Sequence, residues 1–271
     1  MMVSWEHFIY IAIVSVLLWA VGTWAAWRNM ASIAYASTVL GLLVFFSFIM
    51  GLWISLERPP LRTMGETRLW YSFFLPLVGI IVYSRWPYKW ILFFSTTLAL
   101  VFICVNLFKP EIHSKTLMPA LQSPWFAPHV IVYMFAYAVL GVATLMALWM
   151  LINSKAEANS SLFTFHSSLP ALDNLVYVGL AFMTIGMLFG ALWAKEAWGH
   201  YWSWDPKETW AAITWFAYLV FVHYRQIPTH KPRIALWVLL VSFVLLQMCW
   251  WGINYLPSAQ GSSVHVYSMP S

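Results

Sequence analysis

The sequence predicts an all-α, polytopic integral membrane protein: a helical bundle of about eight transmembrane helices with one external, Trp-rich interfacial segment. Three observations predict it. Of 271 residues, 62% are hydrophobic and 8% charged, whereas soluble domains carry about 25% charged residues. Mean hydropathy is +0.74. The apolar residues fall into runs of membrane-spanning length, and a single polar, aromatic island, Trp198–Trp210, interrupts them near the C-terminal end.

The runs are His7–Trp27, Ile33–Leu56, Trp70–Tyr83, Trp90–Phe108, Pro128–Ile152, Leu175–Trp193, Thr209–Tyr224 and Ile234–Tyr255, near the length of about 20 residues that crosses a bilayer. The third is short and carries Pro76, which suggests a kink or tilt. The longest polar gap, Asn153–Leu172, is rich in Ser, Asn and Ala and reads as a loose loop. No soluble domain fits between the runs, so residues 1–271 read as one membrane domain. The N-terminal run lacks a basic leader and a small-residue cleavage site, and reads as a retained helix.

The formal charge of +5 is spread over short loops, which argues against a nucleic-acid partner. Cys104 and Cys249 are isolated within apolar runs, with no CxxC or CxxCH, so the chain carries no covalently attached c-type haem of its own. Eight spans put both termini on one side. Arg28, Arg85, Lys89, Lys155, Arg225, Lys231 and Arg233 then oppose Arg58, Arg62, Arg68, Lys109, Lys115, Lys195 and Lys207. The balance leaves the orientation undecided by the positive-inside rule.

The island Trp198-Gly199-His200-Tyr201-Trp202-Ser203-Trp204-Asp205-Pro206-Lys207-Glu208-Thr209-Trp210 suits a shallow platform at a membrane surface, where indole rings keep one edge wet. An interfacial aromatic belt is the plainer alternative. Asp205, Pro206 and Glu208 also fit the start of a helix, where acids complement the dipole and Pro is tolerated. Gly186 and Gly190, four apart, read as a close helix contact.

Three of the eight His stand out. His129 opens the fifth run, with Tyr133 and Tyr137 following on the same helical face. This polar stripe suits a large, flat, partly polar ligand, or else a His over tyrosines that bond neighbouring helices. His265 lies in the tail, about eight residues beyond the last span, and each residue reaches up to ~3.3 Å. Two His flanking an aromatic platform have the makings of bis-histidine ligation of haem iron; a disordered tail is the alternative for His265. His223 ends the seventh run, ~21 Å along a helix from Thr209, and cannot join that pair. An ionisable group at a span end is a functional candidate, though an imidazole reaching the interface beside Tyr224 and Arg225 is equally consistent.

The stretch from Trp198 through Trp202-x-Trp204-Asp205-Pro206-Lys207-Glu208-Thr209-Trp210, then Thr214-Trp215 and His223, resembles the WWD motif and following helix of CcsA/ResC-type cytochrome c biogenesis proteins, the haem-handling proteins of System II. His129 and the His265-Val266-Tyr267-Ser268 tail match the family's two external His. Arg58-Pro59-Pro60 with Met64-Gly65-Glu66-Thr67 resembles its Arg-x-Pro…Tyr-Glu-Ser segment, with Gly65 and Thr67 standing where Tyr and Ser are usual. The match runs from about Arg58 onward. Shorter CcmC-type relatives usually lack the Asp-Pro-Lys-Glu-Thr-Trp continuation, and CcmF-type lyases are much longer.

The resemblance implies a haem-handling subunit of a cytochrome c synthase, delivering haem b, as transported substrate, to the outer face of the membrane. Trp198, Tyr201, Trp202, Trp204, Asp205 and Trp210 would form the platform and His129 and His265 the axial ligands. His223 would serve a second, inner iron site, its other ligand coming from a Ccs-B/ResB-type membrane partner subunit. The acceptor would be apocytochrome c, whose CxxCH thiols add to the haem vinyls. The platform and both termini would face the periplasm from a bacterial cytoplasmic membrane, or a plastid lumen in its equivalent. No general acid or base is evident in the motif, so positioning would carry the reaction. A haem or porphyrin exporter or chaperone without lyase activity would use the same residues.

Overall fold

A computed structural model describes residues 3–86, 88–108, 123–153 and 161–256, with side chains omitted for 161–167. The described residues are helical, without strands, and the chain divides into two compact units, residues 1–117 and 118–271.

The first unit holds α1 (Phe8–Trp27), α2 (Ala31–Leu56), α3 (Met64–Arg85) and α4 (Lys89–Phe108), after a 3-10 turn at Trp5–His7. Contacts α1–α2, α2–α3, α3–α4 and α4–α1 close it into a four-helix bundle. Small residues bring α1 and α2 together, as is common between membrane helices. A Cβ on Gly41 would lie 2.6 Å from Trp19 Nε1, and one on Gly22 would meet the Thr38 hydroxyl. Pro76 lies inside α3, which is longer at both ends than the expected Trp70–Tyr83.

The segment before α3 is a folded helix start. Buried Glu66 accepts two hydrogen bonds from the Arg58 guanidinium, at 3.0 and 2.8 Å, and others from the Arg62 and Thr63 amides. Thr63 Oγ1 accepts from the Glu66 amide at 3.1 Å, completing a capping box. The Gly65 carbonyl accepts from Asn106 on α4 and the Pro60 carbonyl from Trp70 Nε1. Arg58 and Glu66 therefore build the entry to α3, and at position 65 the backbone makes the contact.

The second unit holds α5 (Phe126–Asn153), α6 (Ser161–Trp198), α7 (Pro206–Gln226) and α8 (Pro232–Trp250), followed by a 3-10 turn at Gly252–Tyr255. Contacts α5–α6, α6–α7, α7–α8 and α8–α5 close this bundle too. Early α5 meets late α6, so the start of α5, the end of α6, the start of α7 and the end of α8 share one end of the unit.

One expectation is corrected. Residues 161–172, read as part of a loose loop, belong to α6, with Pro170 inside the helix. Ser and Thr are only mildly unfavourable in helices, and the Ser-rich stretch concealed a helical extension. The expected eight helices are present among the described residues, and seven of them meet the length and composition expected of a membrane span. The exception is α7, because Lys207, Glu208, Thr209, Thr214, His223, Arg225 and Gln226 dilute its apolar residues.

Candidate functional site

His129 occupies the first turn of α5, half-buried against α6. Its Nδ1 lies 2.8 Å from the Gly186 carbonyl oxygen. A carbonyl can only accept, so Nδ1 carries the proton and, in the neutral ring, the lone pair is on Nε2. The imidazole packs at 5.4 Å and 35° against Trp193 and edge-on at 4.8 Å against Tyr133. Trp193 in turn meets Trp198 at 4.9 Å and Phe126 at 5.0 Å. The file of rings continues inward from Tyr133 to Tyr137 at 5.3 Å and to Trp250 on α8 at 5.8 Å.

Sequence reasoning missed Trp193, which is 5% exposed and joins His129 to the Trp-rich stretch. It lies three residues beyond Gly190, itself four beyond Gly186. That spacing puts all three on one helical face, a signal that could have found it.

Trp198 is the last residue of α6. Gly199 ends the helix at φ 86°, the left-handed conformation that glycine adopts without a Cβ penalty. Lys195 Nζ donates to the Gly199 carbonyl at 2.8 Å and lies 5.5 Å from the centre of the Tyr201 ring. Tyr201 and Trp204 are exposed. Trp202 and Trp204 meet edge-to-face at 5.7 Å. Trp204 also has a left-handed backbone, φ 60°, and its carbonyl accepts from Thr209 Oγ1 at 3.1 Å.

Buried Asp205 is the N-cap of α7. Its Oδ1 accepts from the Lys207 amide at 2.8 Å. Glu208 Oε2 accepts from the Ser203 amide at 2.7 Å, the Ser203 hydroxyl at 3.3 Å and the Asp205 amide at 3.2 Å. Pro206 takes the first helical position, as expected for a residue without an amide hydrogen. The two carboxylates thus hold the shape of the segment from within. Trp210, partly buried, follows on the first turns of α7. Burial lowers the Lys207 ammonium to about 8, while Cys249 and Asp205 act to raise it.

Trp202 Nε1 is buried and has no hydrogen-bond partner among the described residues. An unmet buried donor costs about 1–3 kcal/mol.

His223 lies in the last turn of α7, exposed, with Nδ1–H donating to the Leu219 carbonyl at 2.8 Å. Nearby, Arg225 makes a bidentate pair with Asp173 on α6, at 2.8 and 2.6 Å, and its Nη1 contacts His230 Nε2. His230 Nδ1–H donates to the Ile227 carbonyl. Both His230 nitrogens are therefore engaged. His265 lies outside the described residues.

The site therefore consists of a His–Trp–Trp cluster at one end of the unit, beside a capped Trp-rich turn, with His223 near the other end. A family model described as cytochrome C assembly protein matches residues 61–259. Cytochrome c biogenesis protein CcsA of Guillardia theta is 32% identical over 266 residues, covering 89% of this chain and 87% of the relative. CcsA of Nicotiana tomentosiformis is 32% identical over 280 residues, covering 88% and 87%, and CcsA of Chlamydomonas reinhardtii 36% over 169 residues, covering 61% and 47%. With well over half its length matched, the chain belongs to the cytochrome c assembly protein family, among the CcsA-type cytochrome c biogenesis proteins.

Proposed function

We propose that the chain, within its role in cytochrome c biogenesis, is the haem-handling subunit of a cytochrome c synthase. It presents haem at the outer face of the membrane, the periplasmic side in a bacterium or the lumen side in a plastid. The observation that carries this reading is His129, its Nδ1–H committed to the Gly186 carbonyl. A ligating imidazole usually donates its second nitrogen in this way, which orients the ring and raises its basicity.

Trp198, Tyr201, Trp202, Trp204 and Trp210 supply the apolar aromatic surface, and Asp205 serves by capping the turn that carries them. Covering much of a porphyrin at ~25 cal/mol/Å² is worth several kcal/mol. His129 and His265 hold the iron from opposite faces, and release of one lets the substrate His take its place. Each CxxCH thiol then adds across a haem vinyl. Sulfur bonds to one vinyl carbon and hydrogen to the other, with no leaving group. The chain's contribution is to hold the vinyl edge and the incoming peptide in register. His223 serves inner haem entry, with the second ligand from a Ccs-B/ResB-type partner.

The test is haem binding and transfer by purified protein. His129→Ala should weaken the haem spectrum, with partial recovery on added imidazole. A wild-type spectrum in that variant would remove His129 as a ligand. Haem retained but never transferred to a CxxCH peptide, with the partner present, would favour the exporter reading.

A further inference from the structure

Gly186 and Gly190 do more than let α5 and α6 approach. A Cβ built on Gly190 would lie 2.7 Å from His129 Cε1 and 2.8 Å from its Nδ1. These are bonded atoms of one rigid ring, so the ring as a whole would have to move. One turn earlier, the Gly186 carbonyl receives the His129 Nδ1–H at 2.8 Å, and a Cβ there would press on Tyr133 Cδ2 at 3.1 Å. One turn later, Trp193 covers the imidazole at 5.4 Å. His129 is thus seated on bare α6 backbone, between the indole of Trp193 and the phenol ring of Tyr133.

Gly179, two turns earlier on α6, provides the comparison. A Cβ there would lie 2.6 Å from both Cδ2 and Cγ of Leu140 on α5. The same helix pair is therefore just as close where no His is involved. What distinguishes Gly190 is its neighbour, an imidazole already hydrogen-bonded to the Gly186 carbonyl, so Gly179 serves as the control for close helix approach alone.

We propose that Gly186 and Gly190 form a socket that fixes the rotamer and tautomer of His129, so that α6 backbone directs Nε2 toward the ligand. The socket rests on reading His129 as an iron ligand. Both glycines are positioning residues, acting through the imidazole of His129.

The experiment uses the full chain, purified in detergent and titrated with ferric haem, comparing wild type, Gly190→Ala, Gly179→Ala and His129→Ala. Gly190→Ala should weaken haem ligation roughly tenfold or more, the usual size when support of a metal ligand is lost. Added imidazole should restore the low-spin spectrum, as for His129→Ala. Gly179→Ala should lower the melting temperature at least as much yet keep the wild-type spectrum. A wild-type spectrum in Gly190→Ala, or equal spectral loss in Gly179→Ala, overturns the socket. If His129→Ala itself binds haem as wild type does, the ligand reading fails first, and the socket with it.

A second measurement needs no glycine variant. Ring 15N shifts of haem-free, His-labelled wild type, with His129 assigned by its loss in His129→Gln, should report a protonated Nδ1 and an unprotonated Nε2 at a pH where the ring is neutral. The opposite tautomer overturns the socket.

Discussion

Trp204 holds a φ of 60°, a left-handed conformation that costs a non-glycine residue roughly 1–2 kcal/mol, and its indole is 69% exposed. Backbone strain of this kind tends to collect at functional sites, and here it turns a large ring outward. Trp204→Gly relieves the strain and removes the ring. The variant is expected to melt no lower than wild type while retaining less haem. Thermal denaturation and a Soret titration on one preparation check both, and a lower melting temperature with unchanged haem retention would assign Trp204 to packing. Several site residues were legible in the sequence, because indoles clustered between apolar runs are unusual whatever they touch. Trp193 was not, and Gly190 was legible only as a close helix contact. Each owes its role to His129, more than sixty residues away in the chain, and a buried Trp in an apolar run looks like any other.

Among the elements, α7 depends most on its cap. Asp205 and Glu208 together receive the amides of Lys207, Ser203 and Asp205, so one pair of carboxylates closes the helix start and folds the preceding turn. Asp205→Ala should cost about 1 kcal/mol, the usual value for a lost N-cap. Asp205→Asn should recover most of it, since Asn caps nearly as well. Melting temperatures of the two variants check the order, and a melting temperature of Asp205→Asn as low as that of Asp205→Ala would require a role for the charge beyond capping. The helix start was readable from Asp-Pro-Lys-Glu, which carries both the cap and the first-turn acid. The length of α6 was not readable, since Ser-rich composition marks loops only on average and neighbouring helices override it. Hydropathy likewise undercounts α7, whose polar side chains serve caps, turns and neighbours.

At the scale of the second unit, the ends of the bundle carry different chemistry. Aromatic rings and His129 gather where α5 and α7 begin. Near the end of α7, Arg225 is clamped by Asp173 and meets His230, while His223 stays exposed. Both ring nitrogens of His230 are engaged, so it would have to give up a hydrogen bond to bind a metal. In cells containing the partner, His223→Ala should reduce haem recovered with the protein, while haem added directly to detergent-purified protein should bind the platform as in wild type. Unchanged loading in cells would sink the entry site. Loss in both assays would mean the substitution damages the platform.

The sequence by itself determined the class of molecule, the position of nearly every helix, the Trp-rich turn and its cap, and a family resemblance that the matched relatives bear out. These depend on composition and short spacings, which local physics reads directly: apolar length for a bilayer, Asp-Pro-x-Glu for a helix start. Only the tertiary structure decided what surrounds His129. The Gly186 carbonyl, the bare backbone at Gly190 and the covering ring of Trp193 come to it from another helix. Which atoms meet across two packed helices depends on their register, and no local pattern in either helix specifies it.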